Sequence, residues 1–378
     1  MKAMKNKVAI TENQAAFDRR GFLTGVISTV ATGCMSANSS IRAAADGVAL
    51  EASKRWFKEA QFGMMAHWGL YTLLGGEWKG KPGVHPYGEW IMHGNRIPLK
   101  EYAALAKAFN PVLFDPMDWM KRARDAGMKY FVITSKHHDG FAMYRSKVSK
   151  YNVVDATPFK RDPIEEIAEA CRSTGIRLGL YYSQDLDWSD PNGGGRRVPY
   201  KCYKDYGSDG SDGTRFWGND WDFADTPGYD FQRYLDEKAI PQVGEILTQY
   251  GDLCLIWFDV PVTMSHEQSR QFVDLVRKHQ PGCLISGRIG NGLGDYFTPG
   301  DNQIASKTEK GRLYETVGTM NDSWGYRPTD THYKSAKEIL GIKAKCAAIG
   351  SNYMLNVGPD PLGRFPVAAI DILKGLKS

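Results

Sequence analysis

Cysteine is scarce in this sequence, at 6 of 378 residues, and its placement argues against two classes of protein. No CxxC motif occurs, and no cysteine lies near a histidine at the spacing of a zinc site. Five cysteines follow residue 45, an odd number that does not suit a disulfide framework. Cys254 and Cys283 lie in apolar runs and are predicted to be buried thiols. We predict no bound metal and no cofactor.

Strongly basic blocks and long apolar runs are also missing. The formal net charge is only +5, and no block of lysine and arginine stands out, so nucleic-acid binding gains no support. After residue 45, no apolar run reaches the roughly 20 residues that a membrane-spanning helix needs. We therefore expect a soluble mature protein without a membrane span and without a nucleic-acid partner. The sequence leaves its oligomeric state open.

Several catalytic signatures are absent too. The chain contains neither GxSxG nor HExxH, which disfavours an α/β-hydrolase and a zinc protease. No GxGxxG follows the first strand-like segment, which disfavours a dinucleotide fold. The glycine-rich stretch at 287–294 lacks the lysine of a phosphate-binding loop. The sequence therefore points away from nucleotide chemistry.

The N-terminal segment has the pattern of an export signal. Arg19 and Arg20 begin a twin-arginine motif, a weakly apolar run follows at 21–33, and three alanines at 43–45 offer a cleavage site. We predict that residues 1–45 direct twin-arginine export to the periplasm or the exterior, and that residues 46–378 form the catalytic domain. Lipidation at Cys34 is the alternative, although alanine stands where leucine is usual in the preceding box.

Strand-like and helix-like segments alternate along the rest of the chain. The strand-like segments are apolar, as in parallel strands buried on both faces, and lie at 62–68, 130–134, 177–182, 253–260, 283–286 and 353–357. Helical patterns lie at 99–108, 115–125, 163–173, 231–250, 268–278 and 336–349. A stretch at 187–226 rich in Gly, Asp and Asn predicts a long surface loop. This order predicts an α/β fold on a parallel sheet.

Polar and aromatic residues follow nearly every strand-like segment, which indicates a closed barrel. In an open sheet such residues gather at one switch point, whereas all strands of a barrel end at one mouth. We therefore predict a (β/α)8-like barrel of the TIM type. The clusters expected at its mouth are at 67–68, 137–139 and 183–185, with Asp259, Arg288 and Asn356.

Asp259 is the most informative single residue. It follows four large apolar residues at 255–258, and burying a carboxylate there costs free energy unless the group has a role. At the end of a barrel strand it would point into the mouth as a catalytic group, or it would cap the next loop as a structural one. The pattern alone leaves both interpretations open.

Three histidines follow strands in the same way. His137 and His138 are adjacent, and adjacent strand residues point to opposite sides, so a metal chelate is disfavoured. A neutral imidazole offers one donor and one acceptor, which suits a polyhydroxylated ligand. A hydrogen-bonded core histidine is the alternative for His138 and for His67. Aromatic residues (10 Trp and 19 Tyr) fill cores, but their faces also suit the apolar face of a pyranose.

Glycoside hydrolysis would require a second carboxyl group to work with Asp259. One carboxylate attacks the sugar, and the other carries a raised pKa and protonates the leaving oxygen. The acids that the sequence offers as partners are Glu89, Asp301, Glu309 and Glu315. Their spacing along the chain does not measure their separation in the fold, so the residues alone leave the choice open.

A set of motifs in fixed order resembles glycoside hydrolase family 29, the α-L-fucosidases. The strings include FGMMAHWGLY at 62–71, YGEW at 87–90, AGMKY at 126–130, KHHDGF at 136–141, GLYYS at 179–183, IWFD at 256–259, SWGY at 323–326 and LNVGP at 355–359. Together the motifs span about residues 54–361. The resemblance implies a (β/α) barrel and a retaining double displacement with Asp259 as the nucleophile.

The resemblance also implies which residues hold the sugar. That set is His67, Glu89, Trp90, His137, His138, Tyr182, Trp257 and Arg288. Trp90 or Trp324 would pack on the fucose methyl, and Tyr181 is the alternative to Tyr182 as the inward tyrosine. For the acid/base, the family uses variable loops after the nucleophile strand. We prefer Glu315, with Asp301 as the alternative.

These features lead us to expect an exo-acting retaining α-L-fucosidase that acts on a fucosylated glycan. Many relatives continue into a β-sandwich domain, and the end of this chain at Ser378 leads us to expect the catalytic barrel alone. Two alternatives are the same fold acting on a related sugar, such as an α-L-galactoside, and a non-catalytic glycan-binding barrel.

Overall fold

The computed structural model describes residues 44–196, 216–306 and 308–377. The predicted export signal up to residue 43, the lipidation site Cys34, and 197–215 of the predicted loop lie outside these ranges. In the part of the chain that is described, no helix has the length and apolar character needed to cross a membrane. Cys254 and Cys283 are buried free thiols, as predicted.

The strands form a barrel and a small hairpin. They are β1 (Phe62–Ala66), β2 (Glu77–Trp78), β3 (Lys81–Pro82), β4 (Tyr130–Lys136), β5 (Arg177–Tyr182), β6 (Leu255–Phe258), β7 (Leu284–Ile285), β8 (Tyr296–Phe297), β9 (Leu313–Thr319) and β10 (Ser351–Val357). β2 and β3 pair as an antiparallel hairpin, and the other eight strands are parallel in one sheet.

The parallel sheet closes on itself. Around it, each strand neighbours the next one along the chain from β4 to β10, and β1 pairs with both β4 and β10. A bridge between Ser286, just after β7, and Tyr296 of β8 completes the ring. The predicted (β/α)8-like barrel is confirmed, and its strand ends therefore converge on one mouth.

Helices cover the outside of the barrel. They are α1 (44–60), α2 (Ile91–Gly94), α3 (Leu99–Ala103), α4 (Pro116–Asp125), α5 (Val153–Ala156), α6 (Pro163–Thr174), α7 (Phe231–Tyr234), α8 (Ile240–Gln249), α9 (His266–His279), α10 (Ala336–Ala348) and α11 (Val367–Gly375). Short 3-10 segments lie at Leu70–Leu73, Gly88–Trp90, Ala104–Ala108 and Gly287–Ile289. α4 begins as predicted, because Asp115 accepts a hydrogen bond from the Asp118 N–H and Pro116 fits the first turn.

The predicted helix at 231–250 is interrupted. α7 and α8 flank a π-helical turn at Leu235–Ala239. Pro241 lies in the first turn of α8 and has no N–H to bond backwards, which favours a looser turn ahead of it. The apolar periodicity continues through this turn, so the pattern alone indicates a single helix.

The chain between β7 and β9 departs from the regular alternation. In the described part of this stretch, a 3-10 turn connects β7 to β8, and no helix lies between β8 and β9. The apolar pattern does not predict β9, because Glu315, two threonines and Gly318 interrupt it. The 3-10 turn carries Arg288, and the loop after β8 carries Asp301.

The barrel interior is a packed core. A Cβ atom at Gly63 would lie 2.3 Å from the Tyr130 ring, so glycine at this position makes room for a large ring inside the barrel. Phe57 of α1 packs on Tyr130 and on Tyr296, with ring centres 5.9 and 4.8 Å apart. The N-terminal end of the barrel is filled by these aromatic rings, which leaves the C-terminal end to carry a site.

Candidate active site

A pocket lies at the C-terminal ends of the barrel strands. The residues that line it are Met65, His67, Glu89, Trp90, His137, Trp257, Asp259, Arg288, Asp301 and Trp324. All of these except Met65 are site residues that the sequence predicts.

Asp259 follows β6 and is held from three directions. The Tyr181 hydroxyl donates to its Oδ2 at 2.9 Å, and Arg288 Nη1 donates to its Oδ1 at 2.9 Å. Its backbone N–H donates to Gln184 Oε1 at 2.9 Å. The next residue, Val260, has φ +49°, a strained conformation for a β-branched residue of the kind found at functional sites. The carboxylate is thus fixed at the pocket wall.

Arg288 joins the two carboxylates of the pocket. Its Nη1 binds Asp259, and its Nη2 donates to Asp301 Oδ1 at 2.5 Å. Burial disfavours the charged guanidinium, but Asp301 and Asp259 outweigh this effect and raise the pKa of Arg288. The guanidinium also lies over the Trp257 ring, 4.8 Å from its centre. One planar group thus holds two carboxylates close together.

The hydrogen-bond network assigns the tautomer of His138. Ser183 Oγ donates to the Leu186 carbonyl at 2.8 Å, so it accepts from His138 Nδ1 at 2.6 Å. His138 Nε2 then carries a lone pair, and burial holds the pKa of this imidazole well below its usual range. This Nε2 lies 3.7 Å from Asp259 Oδ2 and has no hydrogen-bond partner among the described residues. This lone pair can therefore accept a hydrogen bond from a ligand.

His67 is oriented in a similar way. The Asn356 amide donates to the Trp324 carbonyl at 2.7 Å, which turns its Oδ1 towards His67 Nδ1 at 2.8 Å. Burial lowers the pKa of His67 to about 4, so the ring is neutral near pH 7. His137 Nδ1 is buried and lacks a partner within the described ranges. The pocket thus presents several neutral imidazoles.

Glu89 contributes a third acid to the pocket. Its Oε2 accepts from the Gly325 N–H at 2.7 Å. Burial raises the pKa of Glu89 to about 8, so this carboxyl group is protonated near neutral pH and has a proton to donate. Trp90 lies beside it, edge-on to His138 at 5.1 Å, and Trp324 lies 5.2 Å from His67. The pocket therefore combines hydrogen-bonding groups with aromatic surface.

Tyr182 does not face the pocket, which corrects the expectation for this position. Its hydroxyl donates to Gln242 Oε1 at 2.8 Å, and its ring lies 4.8 Å from Lys136 Nζ. Tyr181, the alternative, reaches Asp259 instead. Side chains alternate along a strand, so only one of two neighbouring tyrosines can point inward.

Glu315 lies inside the barrel beneath Trp257 rather than at the pocket. Its Oε2 accepts from the Tyr130 hydroxyl at 2.7 Å, and its Oε1 accepts from Trp257 Nε1 at 2.9 Å. Of the two candidates for the second carboxyl group, Asp301 is the one that lines the pocket with Asp259. Glu309, another acid of the sequence, pairs with Arg312 at 3.5 Å on the surface.

Gln184 belongs to the site although the sequence did not single it out. Its Oε1 accepts from the Asp259 N–H, and its Nε2 donates to the Arg288 carbonyl at 3.1 Å. The polar cluster at 183–185 was the available signal, but it does not tell which member points inward. Among the described residues, no group of three or more His, Cys, Asp or Glu side chains is arranged to hold a metal.

Comparison with known proteins gives a consistent result. The family model described as "Alpha-L-fucosidase" matches residues 28–377. A putative alpha-L-fucosidase of Caenorhabditis elegans is 27% identical over 338 residues, which cover 84% of this chain and 63% of that protein. The tissue alpha-L-fucosidase of Mus musculus is 28% identical over 332 residues, covering 80% and 64%. The chain thus spans less than two thirds of the length of these curated relatives.

This chain matches one solved structure over nearly the whole length of that structure. The unliganded alpha-L-fucosidase AlfC from Lactobacillus casei is 48% identical with a TM-score of 0.80, covering 86% of this chain and 97% of that one. AlfC has also been solved with its α-L-fucose product and, as a mutant, with the disaccharide Fucα(1,6)GlcNAc. From the family match, the barrel and the site together, the chain belongs to the α-L-fucosidase family, glycoside hydrolase family 29.

Proposed function

We propose that this protein is an exo-acting retaining α-L-fucosidase that releases terminal α-linked L-fucose from a glycan. The observation that carries the proposal is the Arg288 bridge between Asp259 and Asp301 in the pocket that all three residues line. Retaining glycosidases keep their two carboxyl groups roughly 5–5.5 Å apart. A bridge by one guanidinium favours this close arrangement over the wider one of inverting enzymes.

In the proposed reaction Asp259 attacks the anomeric carbon and Asp301 supplies the proton. The C1–oxygen bond breaks as Asp301 protonates the leaving oxygen, and Asp259 becomes esterified to fucose. Asp301 then removes a proton from water, which attacks the ester and frees Asp259. The Arg288–Asp301 pair must separate when substrate enters, since Asp301 has to hold a proton for the first step.

The polar groups of the pocket support a ligand with several hydroxyl groups. His138 Nε2 has a lone pair without a partner among the described residues, and a sugar hydroxyl would donate its proton to it. Glu89 has a proton to donate to another hydroxyl. Trp90 and Trp324 offer apolar surface, which suits the methyl group of fucose.

The AlfC complexes add support for the ligand. AlfC binds α-L-fucose and Fucα(1,6)GlcNAc, and this chain is 48% identical to the fucose complex over 97% of that chain. This similarity favours L-fucose over a sugar with a hydroxymethyl group in place of the methyl. It also favours a catalytic over a purely glycan-binding barrel.

The test is turnover of 4-nitrophenyl α-L-fucoside beside the matching α-L-galactoside, with NMR detection of the first sugar anomer. We expect the fucoside to be the better substrate and α-L-fucose to appear first, before it mutarotates. Release of β-L-fucose first would overturn the retaining mechanism. Absence of turnover on both substrates would leave a binding function in its place.

We also propose that the protein is exported by the twin-arginine route, because Arg19 and Arg20 open a signal-like segment. Arg19→Lys combined with Arg20→Lys should keep the protein in the cytoplasm. Unchanged recovery from the periplasm would contradict this proposal.

A further inference from the structure

Glu315 is a fully buried carboxyl group for which the proposed reaction has no use. It stands on β9, four residues before the strand ends at Thr319, so it lies deeper in the barrel than the pocket carboxylates. Both of its oxygen atoms are occupied, one by the Tyr130 hydroxyl and the other by Trp257 Nε1. Burying a carboxyl group at this depth without partners would cost free energy. These two hydrogen bonds compensate for that cost, which suggests that they have a role.

Trp257 connects Glu315 to the pocket. The indole stacks on Tyr181 with ring centres 5.6 Å apart, and the Arg288 guanidinium lies 4.8 Å from the indole centre. Tyr181 and Arg288 are the side chains that donate hydrogen bonds to Asp259. The orientation of one indole ring therefore affects both of these contacts.

We propose that Glu315 is a positioning residue: it fixes the indole of Trp257, and through that ring it holds Tyr181 and Arg288 against Asp259. A buried indole N–H needs an acceptor, and rotation of the ring would break its bond to Glu315. The inference deepens the proposed function and rests on it, because it assigns Glu315 a role other than acid/base.

Two substitutions of Glu315 separate the need for a hydrogen-bond acceptor from the need for a negative charge. The substitution Glu315→Gln would keep an oxygen for the Trp257 N–H, and the new NH2 group would donate to the Tyr130 oxygen. The substitution Glu315→Leu would leave both donors without an acceptor. Positioning requires an acceptor for Trp257 but not a negative charge, so the two variants should behave differently.

The first experiment compares Glu315→Gln and Glu315→Leu on aryl α-L-fucosides with good and poor leaving groups. We expect the glutamine variant to keep kcat within about threefold, and the leucine variant to lose about ten- to a hundredfold on every substrate, as for a misplaced catalytic group. An acid/base role would instead give a loss in the glutamine variant that grows as the leaving group becomes poorer and is relieved by azide. That result would overturn the proposal.

A matched control separates positioning from general destabilisation. Asp162 is another buried carboxylate, and it accepts from the Tyr250 hydroxyl at 2.9 Å at the start of α6, outside the pocket. Asp162→Asn should lower the unfolding temperature without changing kcat below that temperature. If Glu315→Leu only lowers the unfolding temperature in the same way, Glu315 is structural and the proposal is wrong.

A double-mutant cycle tests whether the effect passes through Trp257. Trp257→Phe keeps an aromatic ring but removes the N–H, so adding Glu315→Leu should cost little more than Trp257→Phe alone. Losses that multiply would contradict the proposed route. If Glu315→Leu does not fold, Glu315→Gln takes its place, and it should keep kcat within about threefold of its parent both in the wild type and in Trp257→Phe.

Binding of α-L-fucose, measured by calorimetry, separates failure of this inference from failure of the proposed function. A wild-type protein that neither binds fucose nor hydrolyses fucosides would refute the function. A wild type that does both, with unaffected binding and turnover in Glu315→Leu, would refute the inference alone.

Discussion

Two ion networks lie at the mouth of the barrel, and they differ in their balance of charge. In the pocket, one cation serves two anions, because Arg288 binds both Asp259 and Asp301. The Asp301 side chain is 33% exposed and that of Asp259 is 11% exposed. This network has one more carboxylate than cations. Both carboxylates line the pocket, so a substrate can replace one of their contacts with Arg288.

In the second network the charges balance, because Asp187 and Asp190 face Lys136 and Lys238. Asp187 serves two cations, with Lys136 Nζ at 2.9 Å and Lys238 Nζ at 2.8 Å from its Oδ2. The side chains of Lys136 and Asp187 are fully buried. Burial alone would raise the pKa of Asp187, but Lys136 and Lys238 outweigh it and lower that pKa. The network joins the end of β4, the loop after β5 and the π-helical turn.

The two networks show that charged residues at the same end of the barrel can serve either catalysis or stability. A buried charge that loses its partner stays uncompensated and destabilises the fold, whereas a charge at an open pocket can exchange its partner for a ligand or for water. Removing one charge should therefore change activity in the pocket network and stability in the buried network.

The largest effect is expected for Asp259→Asn. Loss of the nucleophile should lower kcat on 4-nitrophenyl α-L-fucoside by at least about 10⁴-fold, or about 5 kcal/mol in activation free energy. Stability should change little, because Arg288 keeps its pair with Asp301. Urea unfolding would check the second point. Near-normal turnover would remove Asp259 from its proposed role, whereas recovery of activity by azide in Asp259→Gly would strengthen it.

The buried network should respond in the opposite way. Asp187→Asn leaves the buried Lys136 without its anion and Lys238 with only Asp190 at 4.0 Å, and should lower the free energy of unfolding by about 3–5 kcal/mol. Lys136→Met leaves Asp187 paired with Lys238 and should cost clearly less. Urea denaturation of both variants checks this order. Equal losses would mean that Asp187 does not hold both lysines in solution.

The strand pattern carries enough information to predict the barrel. Apolar segments such as 130–134 are typical of parallel strands buried on both faces, and Asp115 with Pro116 marks the start of a helix by local chemistry alone. Polar residues after successive strands then predict a shared mouth, since all strand ends of a parallel barrel meet there.

For β5 and β9, the sequence does not show which side chains point into the barrel or how deep they lie. Alternation shows that one of Tyr181 and Tyr182 points inward, but the choice depends on the register of β5 between its neighbours. Glu315 presents the same difficulty, because β9 is not apolar and its depth follows from pairing with Asn352 of β10. Register is a tertiary property, and the sequence near Glu315 does not encode it.

Asp301→Asn tests whether the second carboxylate of the pocket network is the acid. Asp301→Asn should lower kcat/KM about a hundredfold or more on fucosides with poor leaving groups, because these need a proton on the leaving oxygen. With 4-nitrophenol as the leaving group the loss should be much smaller, and azide should relieve it. A loss that does not depend on the leaving group would indicate that Asp301 serves only to hold Arg288.

The smallest effect concerns the third acid of the pocket, whose charge depends on pH. Burial raises the pKa of Glu89 from its ordinary 4.5 to about 8, so between these values the folded protein keeps a proton that the unfolded chain releases. The free energy of unfolding contributed by Glu89 therefore falls as pH rises, by about 1.4 kcal/mol from pH 6 to pH 7. Glu89→Gln removes this titration, so the stability difference between wild type and variant should shift by that amount in urea unfolding at the two pH values. A constant difference would mean that Glu89 is already ionised below pH 6, and the pocket would then hold three carboxylates against one Arg288.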